Sequence, residues 1–562
     1  MGGVQGDCFI GVDVGTGSAR AGVFDAAGKL LAAARRPITI WHEAGEIVEQ
    51  SSEQIWQAVA ESVREAVAAS GVEAQRIAGI GFDATCSLVA VRADGAPVSV
   101  SPSHDPSRNV IVWMDHRASG EADEINAGGH DVLRFVGGVI SPEMETPKLL
   151  WLKRNLPDSF TAAAHFFDLA DYLTWRASGS LARSMCTVTC KWTYIAHEQC
   201  WDAAYFRAIG LGELADEGFT RIGTEVVMPG TALGNGLDAR AAADLGLLLG
   251  TAVAASLIDA HAGGVGTLGA TIGTEAPDLE ARLAYIFGTS ACAMASVAEP
   301  TFVPGVWGPY YSAMVPGLWL NEGGQSAAGA AIDHLVTLHP AAGEIAAIAQ
   351  ENGLSLVEWL DRQAVQASAT HADAVRLADG IHVVPEFLGN RSPFADPDAR
   401  AVIAGLGLDR DHASLVALYI AGLTGIGYGL RQLLDRFAAE GISISSIVAS
   451  GGAARSPLVC QLLADASNVP VAVPDSSEPV LLGAAMLGTV SAGRHTLPQA
   501  MQAMSGGSTV FSPAGGEIAA RHEDRYHAFE TLQVAARSVR LKAVAQSGSG
   551  LGDQARLGSR AR

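Results

Sequence analysis

The stretch Gly11-Val12-Asp13-Val14-Gly15-Thr16-Gly17-Ser18-Ala19-Arg20 decides how this chain is read. An apolar run from Cys8 to Val14 ends in Gly15-Thr16-Gly17 and resumes as Ala21-Gly22-Val23-Phe24-Asp25. That pattern predicts two strands joined by a tight hairpin. Glycines at a turn tip let backbone N–H groups approach an anion, because no Cβ stands in the way. Asp13 lies in an otherwise apolar strand at the mouth of the turn. A buried carboxylate there needs a partner, and Mg2+ carrying a polyphosphate would supply one. A plain hairpin with a satisfied Asp fits these ten residues equally well.

Working outward, Lys29 to Ile40 predicts a third strand. Ser51 or Ser52 then caps a helix whose apolar residues Ile55, Trp56, Val59, Val63 and Val67 recur at helical spacing. Arg76–Phe82 and Val110–Trp113 read as buried strands, and Pro147–Leu152 and Asp168–Trp175 as helices. Strands alternating with helices define an α/β class, in which ligands gather beyond strand ends. Asp83, Thr85, Ser87 and Asp115 follow such ends, although a turn or helix cap is as ordinary a role for each.

A second α/β unit is expected from about residue 260. Its strand Leu283–Phe287 runs into Gly288-Thr289-Ser290-Ala291 and a further apolar run, repeating the first hairpin. Two such hairpins suggest a duplicated fold that grips one phosphate chain from both sides. Further on, strand Ser446–Ser450 leads through Gly451-Gly452-Ala453-Ala454-Arg455-Ser456 into a helix from Pro457. A base and ribose could lie against those glycines at the helix N-terminus, with an ordinary β–α turn as the alternative. From about Arg537 the composition turns to Gly, Ser, Gln and Arg, which predicts a flexible tail over 537–562.

Composition narrows the function. The 562 residues exceed one hydrophobic core, and 49% hydrophobic against 17% charged is a globular balance. The 37 basic and 59 acidic side chains give −22, which argues against coating nucleic acid or an anionic membrane and makes any phosphate site local. Neither a signal peptide nor an apolar run of membrane length is visible, and seven scattered cysteines fit free thiols in a reducing cytoplasm, the expected location. Cys186, Cys190, His197 and Cys200 have the residue types of a zinc site, but the apolar run Trp192–Ile195 between them favours buried or pocket-lining thiols.

No Gly-x4-Gly-Lys-Ser/Thr phosphate loop, His-Glu-x-x-His pair or Gly-x-Ser-x-Gly elbow occurs. Gly264-Val265-Gly266-Thr267-Leu268-Gly269 matches a dinucleotide fingerprint in letters, but it lacks a preceding buried strand and reads better as a small-residue helix. Just before it, Ala255 to Gly264 delivers one carboxylate, Asp259, to the start of a glycine-rich helix. If the site joins ATP to an alcohol, Asp259 fits the base that phosphoryl transfer requires; alone, it would be a helix cap.

Taken in order, these segments resemble the FGGY-type carbohydrate kinases, members of the actin-like, ribonuclease-H-like ATPase fold, from about residue 8 to about 530. GVDVGTGSARAGVFD is similar to the first phosphate hairpin, IFGTSACA to the second, VASGGAARSPLVCQLLADASNVPV to the adenosine segment and SLIDAHAGG to the segment bearing the catalytic aspartate. NEGGQSAAGAAID and GNRSPFADPDARAVIAGL are similar to further segments of the second domain. TCSLV from Thr85, VIVWMDHRA from Val110 and EMETPKLLWLK from Glu143 resemble the pentulose kinases, D-ribulokinases above all.

The resemblance implies two α/β domains of ribonuclease-H-like fold with a cleft between them: 1–260 for sugar and first hairpin, 261–536 for nucleotide. It implies ATP and Mg2+, with Asp259 as catalytic base and Asp13 as metal carboxylate. Gly15, Thr16, Gly17, Ser18, Gly288, Thr289, Gln325, Gly451, Gly452, Ala453 and Ser456 would serve the nucleotide, and Thr85, Cys86, Asp115, Lys191 and Glu322 the sugar. The implied reaction is phosphorylation of a ketopentose at C5, with D-ribulose ahead of ribitol, L-ribulose or xylulose. A nucleotide-dependent binding protein of the same fold is the reading from another class. Family members are often homodimers, and no stretch here identifies an interface.

Overall fold

In the computed structural model, which describes residues 6–273 and 277–557, strand Cys8–Gly15 pairs antiparallel with Ser18–Asp25 and places Gly15 opposite Ser18. Thr16 and Gly17 are therefore the two-residue hairpin tip that the sequence predicts. Strand Leu30–Pro37 extends the meander antiparallel to Ser18–Asp25. On the other side, Ile77–Ala84 runs parallel to Cys8–Gly15 with Asp83 beside Asp13. The short strands Ala252–Val253 and Leu257–Ile258 pair parallel with Ile77–Ala84, and Ile258 lies beside Ala84. Three parallel chain segments thus end together, carrying Asp13, Asp83 and, one residue beyond Ile258, Asp259.

Both faces of this sheet are covered. Helix Ser52–Ser70, capped by Ser51, buries Ile55, Trp56, Val59 and Val63 against one. Helix Pro479–Ser491 lies on the other so closely that a Cβ on Gly11 would come within 1.9 Å of the Leu481 carbonyl, and one on Gly81 within 2.0 Å of that of Ala484. Helix Asp259–Leu268 meets the same helix through reciprocal glycines: a Cβ on Gly266 would lie 1.9 Å from the Pro479 carbonyl, and one on Gly483 1.9 Å from that of Ala262. The GVGTLG segment is thus a packing helix. A second, antiparallel sheet in this region includes Ile47–Gln50, Leu88–Val91, His165–Asp168 and Val110–Ile111, the last shorter than the expected Val110–Trp113.

The chain divides into two compact units, one of Met1–Ile286, Met294–Glu322 and Val473–Thr509, the other of Phe287–Ala293, Gly323–Ala472 and Val510–Arg562. This division is not the expected contiguous one at 260/261. Helix Asp259–Leu268 stays with the first sheet because its backbone is seated on Pro479–Ser491, which lies far along the chain but in the same unit.

In the second unit, strand Ser446–Ser450 pairs parallel with Val471–Pro474, Ile447 opposite Val471. Helix His412–Ala439 is long and apolar enough to cross a membrane by length and composition alone. Its apolar window is 83% buried, as befits a core helix. The C-terminal tail expected from residue 537 is instead helical as far as Leu557, the continuation of helix Gly516–Leu557; residues 558–562 lie outside the described residues. Tyr526 and Phe529 anchor that helix against Tyr428, and Arg525 donates to the carbonyls of Ala378 and Ile381 at 2.9 and 2.7 Å. A helix so nucleated propagates readily through the Ala, Arg, Leu and Gln residues as far as Gln546, while the glycines at 548, 550 and 552 work against it.

Candidate active site

The three strand-end carboxylates of the first unit have different surroundings. Asp13 is buried and accepts a hydrogen bond from Arg20 Nε at 2.6 Å, while Arg20 Nη1 reaches Glu478 at 2.9 Å. Asp83 is wholly buried and neither of its oxygens has a hydrogen-bond partner. Burial, and then the neighbouring Asp13, push its pKa well above the carboxylate range. Asp259 remains partly exposed and accepts the Ala260 N–H at 2.8 Å. Desolvation, then Asp13, raise its pKa to about 6 against the opposing pull of Ala260 N–H, His261 and Lys191. At neutral pH it is therefore mostly ionised, yet basic for a carboxylate.

Among the described residues no group of three or more His, Cys, Asp or Glu could hold a metal ion by itself. A magnesium site needs only one or two carboxylates, with substrate phosphates and waters completing the shell. The unpaired oxygens of Asp83 beside Asp13 fit such a cation or its waters.

The hairpin tip next to them is fixed from below and open above. Gln50 Nε2 donates to the Thr16 carbonyl at 2.7 Å and the Trp113 indole to the Thr16 hydroxyl at 2.9 Å. Ser18 is buried, whereas a Cβ on Gly17 would meet nothing within 4 Å and one on Gly15 only the Ser18 carbonyl at 4.0 Å. No packing demand explains these two glycines, so the open backbone is free to meet an anion.

Thr85 and Cys86 follow strand Ile77–Ala84, with Thr85 N–H bonded to the Val14 carbonyl at 3.0 Å. Lys191 ends helix Met185–Lys191, its Nζ 5.4 Å from the centre of the Trp307 ring. Burial works against its charge, but Cys86, Glu322 and Tyr310 outweigh that and hold its pKa well above the usual lysine value. Lys191 thus lies within electrostatic reach of Cys86 and Glu322, and Asp259 within reach of Lys191.

Asp115 is not among them. It is fully buried and accepts from Val48 N–H at 2.6 Å, Arg117 N–H at 2.9 Å and Arg117 Nε and Nη2 at 2.9 and 2.7 Å. Arg117 also bonds Glu49 at 2.9 Å, so both Asp115 oxygens are committed to a buried ionic network and face no sugar. His197 packs its ring on Phe135 and Trp319, and Cys186 and Cys190 are buried.

Two features of the site escaped the sequence. One is the unpaired state of Asp83, noted only as a strand-end residue. The other is a chain of contacts from Cys186 Sγ to His261 Nδ1 (3.1 Å) and from His261 Nε2 to Glu322 (3.2 Å). Its only signal was a histidine two residues beyond Asp259 in the glycine-rich segment.

In the second unit, the carbonyls of Gly288 and Thr289 accept the amides of Gly329 (3.0 Å), Ala328 (2.9 Å) and Ala330 (3.1 Å), leaving the exposed tip as a cap on helix Gly329–Thr337. Gln325 Nε2 donates to the Ile426 carbonyl at 3.0 Å across Gly429, where a Cβ would lie 2.4 Å from that nitrogen. Gly451 has φ +95°, and a Cβ there would strike the Phe287 carbonyl at 2.5 Å, so only glycine fits. Gly452 is exposed with nothing within 4 Å of an added Cβ, and Ala453 opens the short turn Ala453–Arg455. Ser456 caps helix Pro457–Ser467 by accepting the Val459 N–H at 3.2 Å, and donates to Asp361 at 2.6 Å. The result is an open backbone shelf at a helix N-terminus.

Solved structures share this architecture. Xylulose kinase from Rhodospirillum rubrum superposes with a TM-score of 0.78 over 95% of this chain and 99% of its own at 23% identity, and Plasmodium falciparum glycerol kinase, solved with ADP, with 0.75 over 95% and 98% at 15%. The fold is that of the two-domain, actin-like sugar kinases. The FGGY family of carbohydrate kinases matches with its N-terminal domain over residues 8–266 and its C-terminal domain over 283–492. A human FGGY carbohydrate kinase domain-containing protein is 45% identical over 90% of this chain and 92% of its own, and a D-ribulokinase of Saccharomyces cerevisiae 38% identical over 86% and 72%. The chain belongs to the FGGY family of carbohydrate kinases: it is a sugar kinase that uses ATP.

Proposed function

We propose that this kinase transfers the γ-phosphoryl group of ATP to the C5 hydroxyl of a ketopentose, D-ribulose first among them. The observation that carries the reading is Asp259: a partly open carboxylate raised to about 6, within reach of the Lys191 charge and near the buried Asp13. The 38% identity to the yeast D-ribulokinase supports D-ribulose over its isomers.

In this reading Asp259 takes the hydroxyl proton as the new O–P bond forms. Its raised pKa favours that step, because a base works best when its pKa approaches the operating pH. Lys191, Glu322 and the Thr85–Cys86 backbone hold the sugar. The amides around Thr16 and Thr289 donate to phosphate oxygens where charge develops, and Gly451, Gly452, Ala453 and Ser456 carry the adenosine, with Gln325 nearby on the second unit. Magnesium, when bound, neutralises phosphate charge, and Asp13 is the carboxylate that would hold it. The remaining assistance is positioning, the main requirement of phosphoryl transfer.

The test is ADP release with Mg-ATP over D-ribulose, L-ribulose, D-xylulose, L-xylulose and ribitol. A strong preference for D-ribulose, with little ADP formed in its absence, is expected. Preference for another sugar would keep the base and overturn the substrate. ATP hydrolysis independent of any sugar would point to the nucleotide-dependent binding protein instead.

A further inference from the structure

Three side chains from separate elements form an unbroken polar chain inside the first unit. Cys186 sits in the first turn of helix Met185–Lys191, His261 in that of helix Asp259–Leu268, and Glu322 on strand Trp319–Gln325. Cys186 Sγ accepts the Ile258 N–H at 3.4 Å and lies 3.1 Å from His261 Nδ1. His261 Nε2 lies 3.2 Å from Glu322 Oε2. Exposure rises along the chain, from 0% at Cys186 through 1% at His261 to 9% at Glu322. The dry end is the thiol; the end that reaches the surface is the carboxylate beside Lys191.

Chemistry limits how such a chain is protonated. A neutral imidazole has one N–H and can donate to only one of two acceptors. Here an imidazole stands between a sulfur that already accepts a backbone N–H and a carboxylate. A thiol S–H donating to Nδ1 of a neutral ring that donates from Nε2 to the carboxylate makes both contacts, as does an imidazolium between a thiolate and the carboxylate; in either form the nitrogen facing Glu322 is the donor. Local charges favour the ionised form: burial opposes it, but the hydrogen bond from Cys190, then His261 and the Ile258 N–H, outweigh burial and bring the Cys186 thiol down to about 5, while Cys186 and Glu322 outweigh burial and raise His261 to about 10. The neighbouring thiol, Cys190, is driven well above its usual value by burial and stays protonated.

We propose that Cys186 and His261 are positioning residues that lock Glu322 in one orientation as an ionised acceptor for the sugar's hydroxyls. A carboxylate hydrogen-bonded to a rigid, buried imidazole loses side-chain rotation before substrate arrives, so less freedom is lost on binding. The chain also ties Glu322 to the residue preceding Asp259, because Ile258 N–H is its first link. The groups that hold the sugar and the group that takes its proton therefore share one anchor. This rests on the reading of Glu322 as a sugar contact; nothing in the argument depends on which sugar is bound.

The test uses the full-length enzyme and three variants, Cys186→Ser, His261→Gln and Cys190→Ser, the last removing the second thiol while keeping a hydroxyl donor toward Cys186. The first readout needs no activity: thiolate absorbance near 240 nm at neutral pH, compared with the unfolded protein. The wild type and Cys190→Ser should show the band of one thiolate, and Cys186→Ser and His261→Gln should lack it. The second readout is steady-state kinetics with the sugar that the wild type uses best. Cys186→Ser and His261→Gln should raise the sugar KM at least tenfold and leave the KM for ATP within twofold. Equal rises in both constants, or a sugar KM unchanged in variants that fold, would overturn the proposal, as would absence of the thiolate band from the wild type. If the wild type turns over none of the sugars, the reading of the enzyme fails, while the absorbance still decides whether the chain is ionised.

Discussion

The two Gly–Thr hairpins are nearly the same in sequence and differ in what surrounds them. At the first, the Thr16 hydroxyl and carbonyl are held by Trp113 and Gln50, and three carboxylates stand at the adjoining strand ends. At the second, the Gly288 and Thr289 carbonyls face inward to cap a helix, three amides deep. The first hairpin sits in a charged, partly desolvated setting, and the second in a neutral one made of backbone. Phosphoryl transfer in general uses both kinds of surroundings: fixed dipoles to receive charge, and groups that act on a metal and a proton. A shared motif therefore identifies a shape, and the neighbours decide its work.

The largest test of this contrast is Asp259→Asn. General base catalysis is commonly about 10^2–10^4 in rate, so kcat should fall by roughly that factor with ATP affinity nearly unchanged. The wild-type rate should also drop as pH falls through about 6, where Asp259 takes up its proton. Measuring turnover against pH, with ATP binding by calorimetry, checks both. Retention of wild-type turnover in the Asn variant would remove charge from the account of the first unit.

The second unit should respond to backbone changes. Gly451→Ala forces a Cβ against the Phe287 carbonyl at positive φ. A loss of about 2–4 kcal/mol of stability is expected from strain and overpacking together, with a weaker KM for ATP. Denaturant melts and ATP titration read it out; the neighbouring Gly452→Ala, which meets no atom, should cost far less.

A third test concerns buried acid in the first unit. Glu145 is wholly buried, and desolvation, only partly offset by Lys148, raises its pKa to about 7. Unfolded, it would titrate near 4.3, so the folded state holds the proton more tightly. Its contribution to stability is therefore greatest below about pH 4 and is lost as pH rises toward 7. Glu145→Gln should flatten that part of the stability–pH curve, by on the order of 2 kcal/mol across the window. An unchanged slope would mean that Lys148 fully compensates the carboxylate.

The finest comparison sets Thr16→Val against Thr289→Val. The first loses the acceptor for the Trp113 indole, a hydrogen bond of about 1 kcal/mol, and should lower kcat/KM roughly three- to tenfold with a shift in tryptophan emission. The second should leave the helix cap intact, because only its carbonyl is used, and reduce kcat/KM by less.

Much of this was legible in the chain, and the exceptions have definite causes. The first hairpin, the strand ending at Asp83 and the cap at Ser51 depend on neighbours within a few residues, where turn and capping chemistry is written locally. Asp259 stood out only in company with the phosphate motifs around it, since a lone carboxylate at a helix start reads as an ordinary cap. Asp115 looked equivalent to Thr85, each following a buried strand, but Arg117 claims it two residues later. The Cys186–His261–Glu322 chain spans separations of 75 and 61 residues, which no local pattern carries. The helix through Leu557 was misread because composition alone does not reveal that Tyr526 and Phe529 are anchored.

The seat of helix Pro479–Ser491 on Gly11 and Gly81 has a consequence for how the protein is made. The strand that opens the chain waits for a partner that leaves the ribosome more than 460 residues later. Helix Asp259–Leu268 waits for the same partner across some 210 residues, roughly 10–40 s of synthesis at about 5–20 residues per second. During that interval the glycine face of the first sheet is bare. The first unit therefore cannot be produced as a contiguous N-terminal fragment: truncation before Pro479 would leave its central sheet with one face uncovered.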